Sequence, residues 1–150
     1  MLTTLLSSDK IGGTYKTPLF NIYKLFSNNC RGNSIDTYVE SETFDTEKYK
    51  GIPYLDVTAV YSKENNTVYI NVVNRHKDKS ITADIINSSG VLSGKAEASL
   101  VANESLTEPF TYDRRDRYAP VTKEIQVEGN HISYSFPAHS FTQIRVGVKK

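Results

Sequence analysis

With 150 residues, 38% of them apolar and 23% charged, the chain has the length and composition of one ordinary folded domain and is neither disordered nor membrane-like. Its 18 basic and 17 acidic side chains leave a formal charge of +1, which makes no electrostatic case for nucleic acid or for an anionic membrane surface. A single cysteine, Cys30, excludes an internal disulfide framework and a multi-cysteine zinc site, and no apolar run approaches the ~20 residues that span a bilayer.

Residues 2–6 read as the end of a strand, and Ser7-Ser8-Asp9-Lys10 and Gly12-Gly13 as turn and loop chemistry. The first residues lack a basic region and a full apolar stretch, so they read as a poor signal peptide, and the compartment stays open. Thr17-Pro18 begins a helix. The Thr17 hydroxyl suits a cap, and Pro18 suits the first helical position, where its missing N–H costs nothing. Leu19, Ile22, Tyr23 and Phe26 recur at helical spacing as one apolar stripe, and Asn28-Asn29 and Gly32 stop the helix. A helix this short barely holds in water alone, so it needs a neighbouring surface. Cys30 is expected to be a small hydrophobe at the helix end, since no base or electropositive setting activates it. Residues 33–50 carry Asp36, Glu40, Glu42, Asp45 and Glu47 and read as a connector with one short strand near 35–39. Their spacing does not match a calcium loop, and the glycine of the turn is missing.

From Pro53 onward the pattern alternates with a period of two. Leu55, Val57, Ala59 and Tyr61 share one face against Asp56, Thr58 and Val60. After a Lys63-Glu64-Asn65-Asn66 loop, Val68, Ile70 and Val72 alternate with Tyr69, Asn71 and Val73. Lys77-Asp78-Lys79 turns the chain into Ile81, Ala83 and Ile85, and Asn87-Ser88-Ser89-Gly90 ends that strand. Residues 94–102 read as a weaker strand. Ile125-Gln126-Val127 and Ile132-Ser133-Tyr134-Ser135-Phe136 flank Gly129-Asn130, a two-residue hairpin signal. Thr142, Ile144, Val146 and Val148 form the face of a last strand. The expected fold is mainly β: an antiparallel, jelly-roll-like two-sheet sandwich preceded by one α-helix. Residues 103–122 interrupt the rhythm with Pro109, Pro120 and the run Arg114-Arg115-Asp116-Arg117. A long irregular segment of this kind is a solvated or interdomain loop, or, on the sharper reading, an arginine-rich ligand site.

The candidates for chemistry are few. His76 ends a strand in Asn74-Arg75-His76, and His139 lies in Pro137-Ala138-His139-Ser140. Neither has a cysteine or second histidine at ligand spacing, so no metal is expected. No serine sits in a nucleophile elbow, no two acids are marked as facing each other across a cleft, and Gly12-Gly13 lacks the lysine and hydroxyl of a phosphate loop. No cofactor and no catalytic residue is therefore assigned. The triplets beginning at Asn65, Asn87 and Asn103 are glycosylation sequons of the kind that chance supplies. Ten tyrosines raise the question of sugar stacking, but tryptophan, the larger platform, is absent.

The blocks Ile52-Pro53-Tyr54-Leu55-Asp56-Val57-Thr58-Ala59 and Val72-Val73-Asn74-Arg75-His76 resemble the C-terminal region of the α-L-arabinofuranosidases of glycoside hydrolase family 51. Phe136-Pro137-Ala138-His139-Ser140-Phe141-Thr142 is similar to that family's closing turn before the final strand. The segment from Thr17 to Phe26 resembles the last helix of its catalytic barrel. The resemblance implies three parts: residues 1–32 as the tail of a catalytic (β/α)8 barrel, 33–50 as a connector, and 51–150 as the C-terminal β-sandwich domain. It implies a parent that removes terminal α-L-arabinofuranosyl groups from arabinan or arabinoxylan with retention of configuration. The parent's two catalytic glutamates then lie upstream of this chain, which is expected to be inert alone. Its partners are the parent's barrel, arabinose-containing polysaccharide and, through homo-oligomer contacts, further copies. Asn74, Arg75 and His76 are expected to satisfy loop backbone groups. The alternatives are an autonomous carbohydrate-binding module and an immunoglobulin-like surface interaction domain.

Overall fold

The computed structural model describes residues 6–8, 14–107, 112–114 and 116–149. In chain order the elements are β1 (Leu6–Ser8), β2 (Thr14–Lys16), α1 (Pro18–Asn29), β3 (Asn33–Ile35), β4 (Thr43–Phe44), β5 (Ile52–Pro53), β6 (Leu55–Ser62), β7 (Thr67–Asn74), β8 (Ile81–Ile86), β9 (Leu92–Val101), β10 (Val121–Gln126), β11 (His131–Phe136) and β12 (Ser140–Val148). Every strand pairing is antiparallel.

The principal sheet has six strands in the order β10-β9-β12-β7-β6-β3. Register puts Ile144 opposite Ile70 on one side and Ala98 on the other, and Ile70 opposite Ala59. The alternation in the sequence therefore lines up across strands into one apolar face. The second layer is smaller, the pair β11-β8, in which Ile132 meets Ile85 and Phe136 meets Ile81. Ile132, Phe136, Ile144, Val72 and Val146 are buried between the layers. β9, read from the sequence as weak, is an inner strand of ten residues. Its alanines Ala96 and Ala98 are buried, because a small side chain is what the tightly filled centre accepts.

Five local expectations are corrected. Ser7 and Ser8 lie in β1, paired with β2, instead of in a turn; the expected strand residues 2–5 and the glycines 12–13 lie outside the described residues. Thr17 occupies the cap position with extended backbone but makes no side-chain cap bond; the turn is closed by the Phe20 N–H donating to Thr17 O at 3.0 Å. The strand expected near 35–39 ends at Ile35, and β4, from the segment read as a connector, pairs with β5 just beyond it in a second small hairpin. The turn at Gly129-Asn130 forms as expected, with Gly129 at φ 67° and Glu128 bridged to His131, which is the two-residue geometry that wants glycine first. Its flanking strands nevertheless separate into different sheets, β10 onto β9 and β11 onto β8. Glycine is required at position 32, not to stop the helix but to let the chain pass the Tyr61 backbone: a Cβ there would collide with the Tyr61 carbonyl.

α1 lies over the outer face of the six-stranded sheet. Phe26 stacks on Phe141 with centroids 5.5 Å apart. Asn29 Nδ2 donates to Gln143 Oε1 at 2.6 Å, and Gln143 Nε2 donates to Asn71 Oδ1 at 2.8 Å. This polar ladder, with Gln143 and Asn71 both buried, replaces water for amides that would otherwise face solvent from the sheet. Cys30 joins it through Gln143 Nε2 at 3.5 Å and Asn71 Nδ2 at 3.4 Å. Among the described residues, no helix is long and apolar enough to cross a membrane.

Candidate functional site

Three loops meet at one end of the sandwich: 75–80 after β7, 137–139 between β11 and β12, and the irregular segment after β9. Asn74, His76 and His139 tie these loops together through backbone groups. Asn74 is the centre. It is the last residue of β7 and 1% exposed. Its Nδ2 donates to Lys79 O at 3.0 Å, Phe136 O at 3.0 Å and Pro137 O at 2.9 Å, and its Oδ1 accepts the His76 N–H at 2.9 Å.

His76 stacks on Tyr54 with centroids 4.6 Å apart, and Tyr54 stacks on Phe44 at 4.9 Å. Its Nδ1 accepts backbone N–H bonds from Asp78 and Lys79 at 3.1 and 3.0 Å. That nitrogen is therefore unprotonated and occupied, and the ring serves as a turn-former. Arg75 pairs with Asp56 and donates to Pro53 O at 3.1 Å, tying β7 to the start of β6. The expected structural role of Asn74, Arg75 and His76 is the geometry observed.

His139 stands at φ 38°. Its two ring nitrogens face the carbonyl oxygens of Lys77 and Asn103 at 2.7 and 2.6 Å, and its N–H donates to His76 O at 2.8 Å. One imidazole thus bridges all three loops, and neither nitrogen is left to act as a general base. Asn103 is held in turn: Nδ2 donates to Ser105 O at 2.9 Å and to Tyr118 Oη at 3.1 Å, while Oδ1 accepts Arg117 Nε at 3.0 Å. Those bonds take up the amide that the sequon reading needs for a glycan. They also draw in Arg117, completing a clasp made of Asn74, Asn103, Arg117 and His139. Arg114 lies in a short 3-10 turn, Tyr112–Arg114; Arg115 lies outside the described residues.

Two cavities border the clasp and share Asn103 and His139 as a wall. One is an open cleft of about 700 Å3 with Lys77, Asp78, Glu104 and Arg117 on its rim. The other, of about 490 Å3, is an apolar groove between α1 and the sheet's outer face.

The remaining candidates do not converge. Cys30 is half-buried at the C-terminal cap of α1, where burial pushes its thiol up and the Asn71 hydrogen bond opposes that only in part. Asp45, from the acidic connector, accepts the Gly51 N–H at 2.9 Å and pairs with Lys50 at 3.3 Å; it closes the β4–β5 hairpin. Among the described residues no group of three His, Cys, Asp or Glu could hold a metal. Tyr38 and Tyr49 are exposed, whereas Tyr69 is buried. One polar pair escaped the sequence reading: His131 Nε2 lies 3.0 Å from Asp84 Oδ1 across β11–β8. The hydrogen bonds from His131 and then Ser133 hold the Asp84 carboxyl below the usual carboxylate range. Only strand pairing brings these residues together, so no local motif announces them.

Comparison with known proteins adds the context. The family model described as the alpha-L-arabinofuranosidase C-terminal domain matches residues 2–140. Intracellular exo-alpha-(1->5)-L-arabinofuranosidase 1 of Bacillus subtilis is 31% identical over 77 residues, which is 51% of this chain and 15% of that protein. Probable alpha-L-arabinofuranosidase C of Aspergillus flavus is 31% identical over 147 residues, which is 93% of this chain and 27% of that protein. The arabinose complex of the alpha-L-arabinofuranosidase from Thermotoga maritima superposes with a TM-score of 0.80 at 22% identity, over 93% of this chain and 30% of that one; it shares the fold. The chain thus spans less than a third of the length of each of these proteins.

Proposed function

The chain belongs to the α-L-arabinofuranosidase C-terminal domain family, and on that premise we propose that it serves as the non-catalytic β-sandwich of a larger, retaining α-L-arabinofuranosidase of glycoside hydrolase family 51. The parent releases terminal α-L-arabinofuranosyl groups from arabinan- or arabinoxylan-type polymers. Its acid/base and nucleophile, which in a retaining enzyme stand about 5 Å apart across the scissile bond, belong to a catalytic barrel encoded upstream. In this reading residues 1–32 are the tail of that barrel, 33–50 a connector and 51–150 the sandwich. The sandwich packs on the barrel and covers its apolar surface.

The observation that carries the reading is the match to a C-terminal domain over residues 2–140, together with a match to the Aspergillus flavus relative that takes in 93% of this chain but only 27% of that protein. The clasp supports it. The Asn74 amide, His76 Nδ1 and both His139 ring nitrogens are engaged with backbone groups, which orders the loops. The test compares purified chain and parent on a chromogenic α-L-arabinofuranoside. Release of the chromophore by the parent alone is expected. Release by the 150-residue chain, abolished by a point substitution within it, overturns the proposal.

A further inference from the structure

Two histidines hold the loops at this end of the sandwich, and their hydrogen bonds demand opposite proton states. The His139 ring meets an acceptor at each nitrogen: Nδ1 lies 2.7 Å from Lys77 O and Nε2 2.6 Å from Asn103 O. A carbonyl oxygen only accepts, and a neutral imidazole has one N–H and one lone pair. A neutral His139 would therefore bond one carbonyl and turn its lone pair on the other. Only the imidazolium, with an N–H on each nitrogen, makes both bonds. Both are also shorter than the about 2.9–3.0 Å common for N–H···O bonds, as bonds from an ionised donor are.

His76 is the reverse case. Its Nδ1 accepts the N–H groups of Asp78 and Lys79 at 3.1 and 3.0 Å, which a protonated nitrogen cannot do. Both rings thus hold the loop 75–80, one by its carbonyl at Lys77 and the other by its N–H groups. They are joined through the main chain, where the His139 N–H donates to His76 O at 2.8 Å. The surrounding charges are matched in number. Lys77 and Asp78 from the same loop, and Glu104 and Arg117 from the segment after β9, line the cleft beside His139. On the groove side stand Tyr118 and Arg75, the latter paired with Asp56, while Tyr54 stacks on His76. With acids and bases balanced there, the two carbonyls decide the charge of the His139 ring.

We infer that His139 is held as an imidazolium and His76 as a neutral ring, so that this end of the domain is fully tied only within a window of pH and loosens on either side of it. The folded chain holds the His139 proton in a bond that the unfolded chain lacks. That contribution is complete in acid, below the value of about 6.5 for an unfolded histidine, and is lost as pH rises. His76 works the other way. Protonating its Nδ1 removes the acceptor of two N–H groups, so its contribution is present above that value and is lost as pH falls. Outside the window one loop parts from the others, and the cleft and the groove lose the wall they share, Asn103 and His139.

The test follows the imidazole nitrogens of the 150-residue chain by heteronuclear NMR, with His139→Gln and His76→Asn supplying the assignments. At about pH 6.5, the midpoint of an unrestrained histidine, His139 is expected to carry a proton on both nitrogens and His76 to have a bare Nδ1. Urea midpoints across pH give a second readout. His139→Gln keeps an amide donor for one carbonyl and does not titrate, so its deficit against the unmodified chain should shrink as pH rises. His76→Asn keeps a side-chain acceptor and does not titrate, so its deficit should shrink as pH falls. A neutral His139 ring at that pH, two rings that gain their protons together, or deficits that do not change with pH each overturn the inference.

Discussion

Replacing Asn74 by alanine should be among the most damaging single changes in this domain. The side chain is 1% exposed, so nothing but a trapped water could replace it. Truncation orphans the fully buried carbonyl of Phe136 and removes partners from Lys79 O, Pro137 O and the His76 N–H. The orphaned buried acceptor costs about 1–3 kcal/mol, and each of the partly exposed bonds about 0.5–1.5 kcal/mol. These bonds share atoms and are not additive, so the expected total is about 3–4 kcal/mol. Against a domain stability of about 5–15 kcal/mol that is a large fraction. It corresponds to a fall of roughly 6–16 °C in midpoint for a chain of this length. Urea unfolding should show a lower midpoint with an unchanged slope. Asn74→Asp provides the second arm. It keeps the acceptor toward His76 but sets a carboxylate against three carbonyl oxygens, so it should be at least as destabilising at neutral pH and recover in acid, where the protonated group donates one bond. A loss below about 1 kcal/mol for Asn74→Ala, the ordinary cost of one exposed hydrogen bond, would refute the clasp as the element that orders this end.

Three further outcomes follow from other parts of the molecule. Thr142 Oγ1 is buried with no partner in hydrogen-bonding geometry. Thr142→Val should therefore stabilise by about 1 kcal/mol in denaturant titration; a loss of stability contradicts this. Asp84 is held low by His131 and Ser133. A depressed carboxyl stabilises above its unfolded value and loses that contribution as pH falls through the folded one. In His131→Ala the Asp84 carboxyl should titrate higher by NMR, and the stability difference from the parent sequence should vanish in acid. Cys30, raised chiefly by burial, should react several-fold more slowly with a disulfide reagent near neutral pH than an unhindered thiol of ordinary pKa; an equal or faster rate refutes the burial argument.

Strand positions are legible because each residue of β6, β7 and β12 carries its own side of the alternation, and the period survives without knowledge of partners. Partner choice is not so carried. Gly129-Asn130 satisfies the requirements of a tight turn locally, yet the chain uses that turn to pass from β10, paired with β9, to β11, paired with β8. The deciding energy is long-range: Ile132 and Phe136 are buried only by facing the other layer. Asn74, Arg75 and His76 are legible as a block of polar residues at a strand end. The dependence of His139 on Asn103, 36 positions away, is not, because it belongs to the meeting of loops and not to either segment.

The clasp and the groove meet in one wall. Asn74 and His139 fix the loops that form one side of the groove, while the Asn29–Gln143–Asn71 ladder fixes α1 on the other. Ordering a loop costs about 1–2 kcal/mol of backbone entropy for each residue fixed, and here side chains from positions far apart in the sequence offset that cost within the domain. The contacts that order this end are therefore the ones a local reading of the sequence misses.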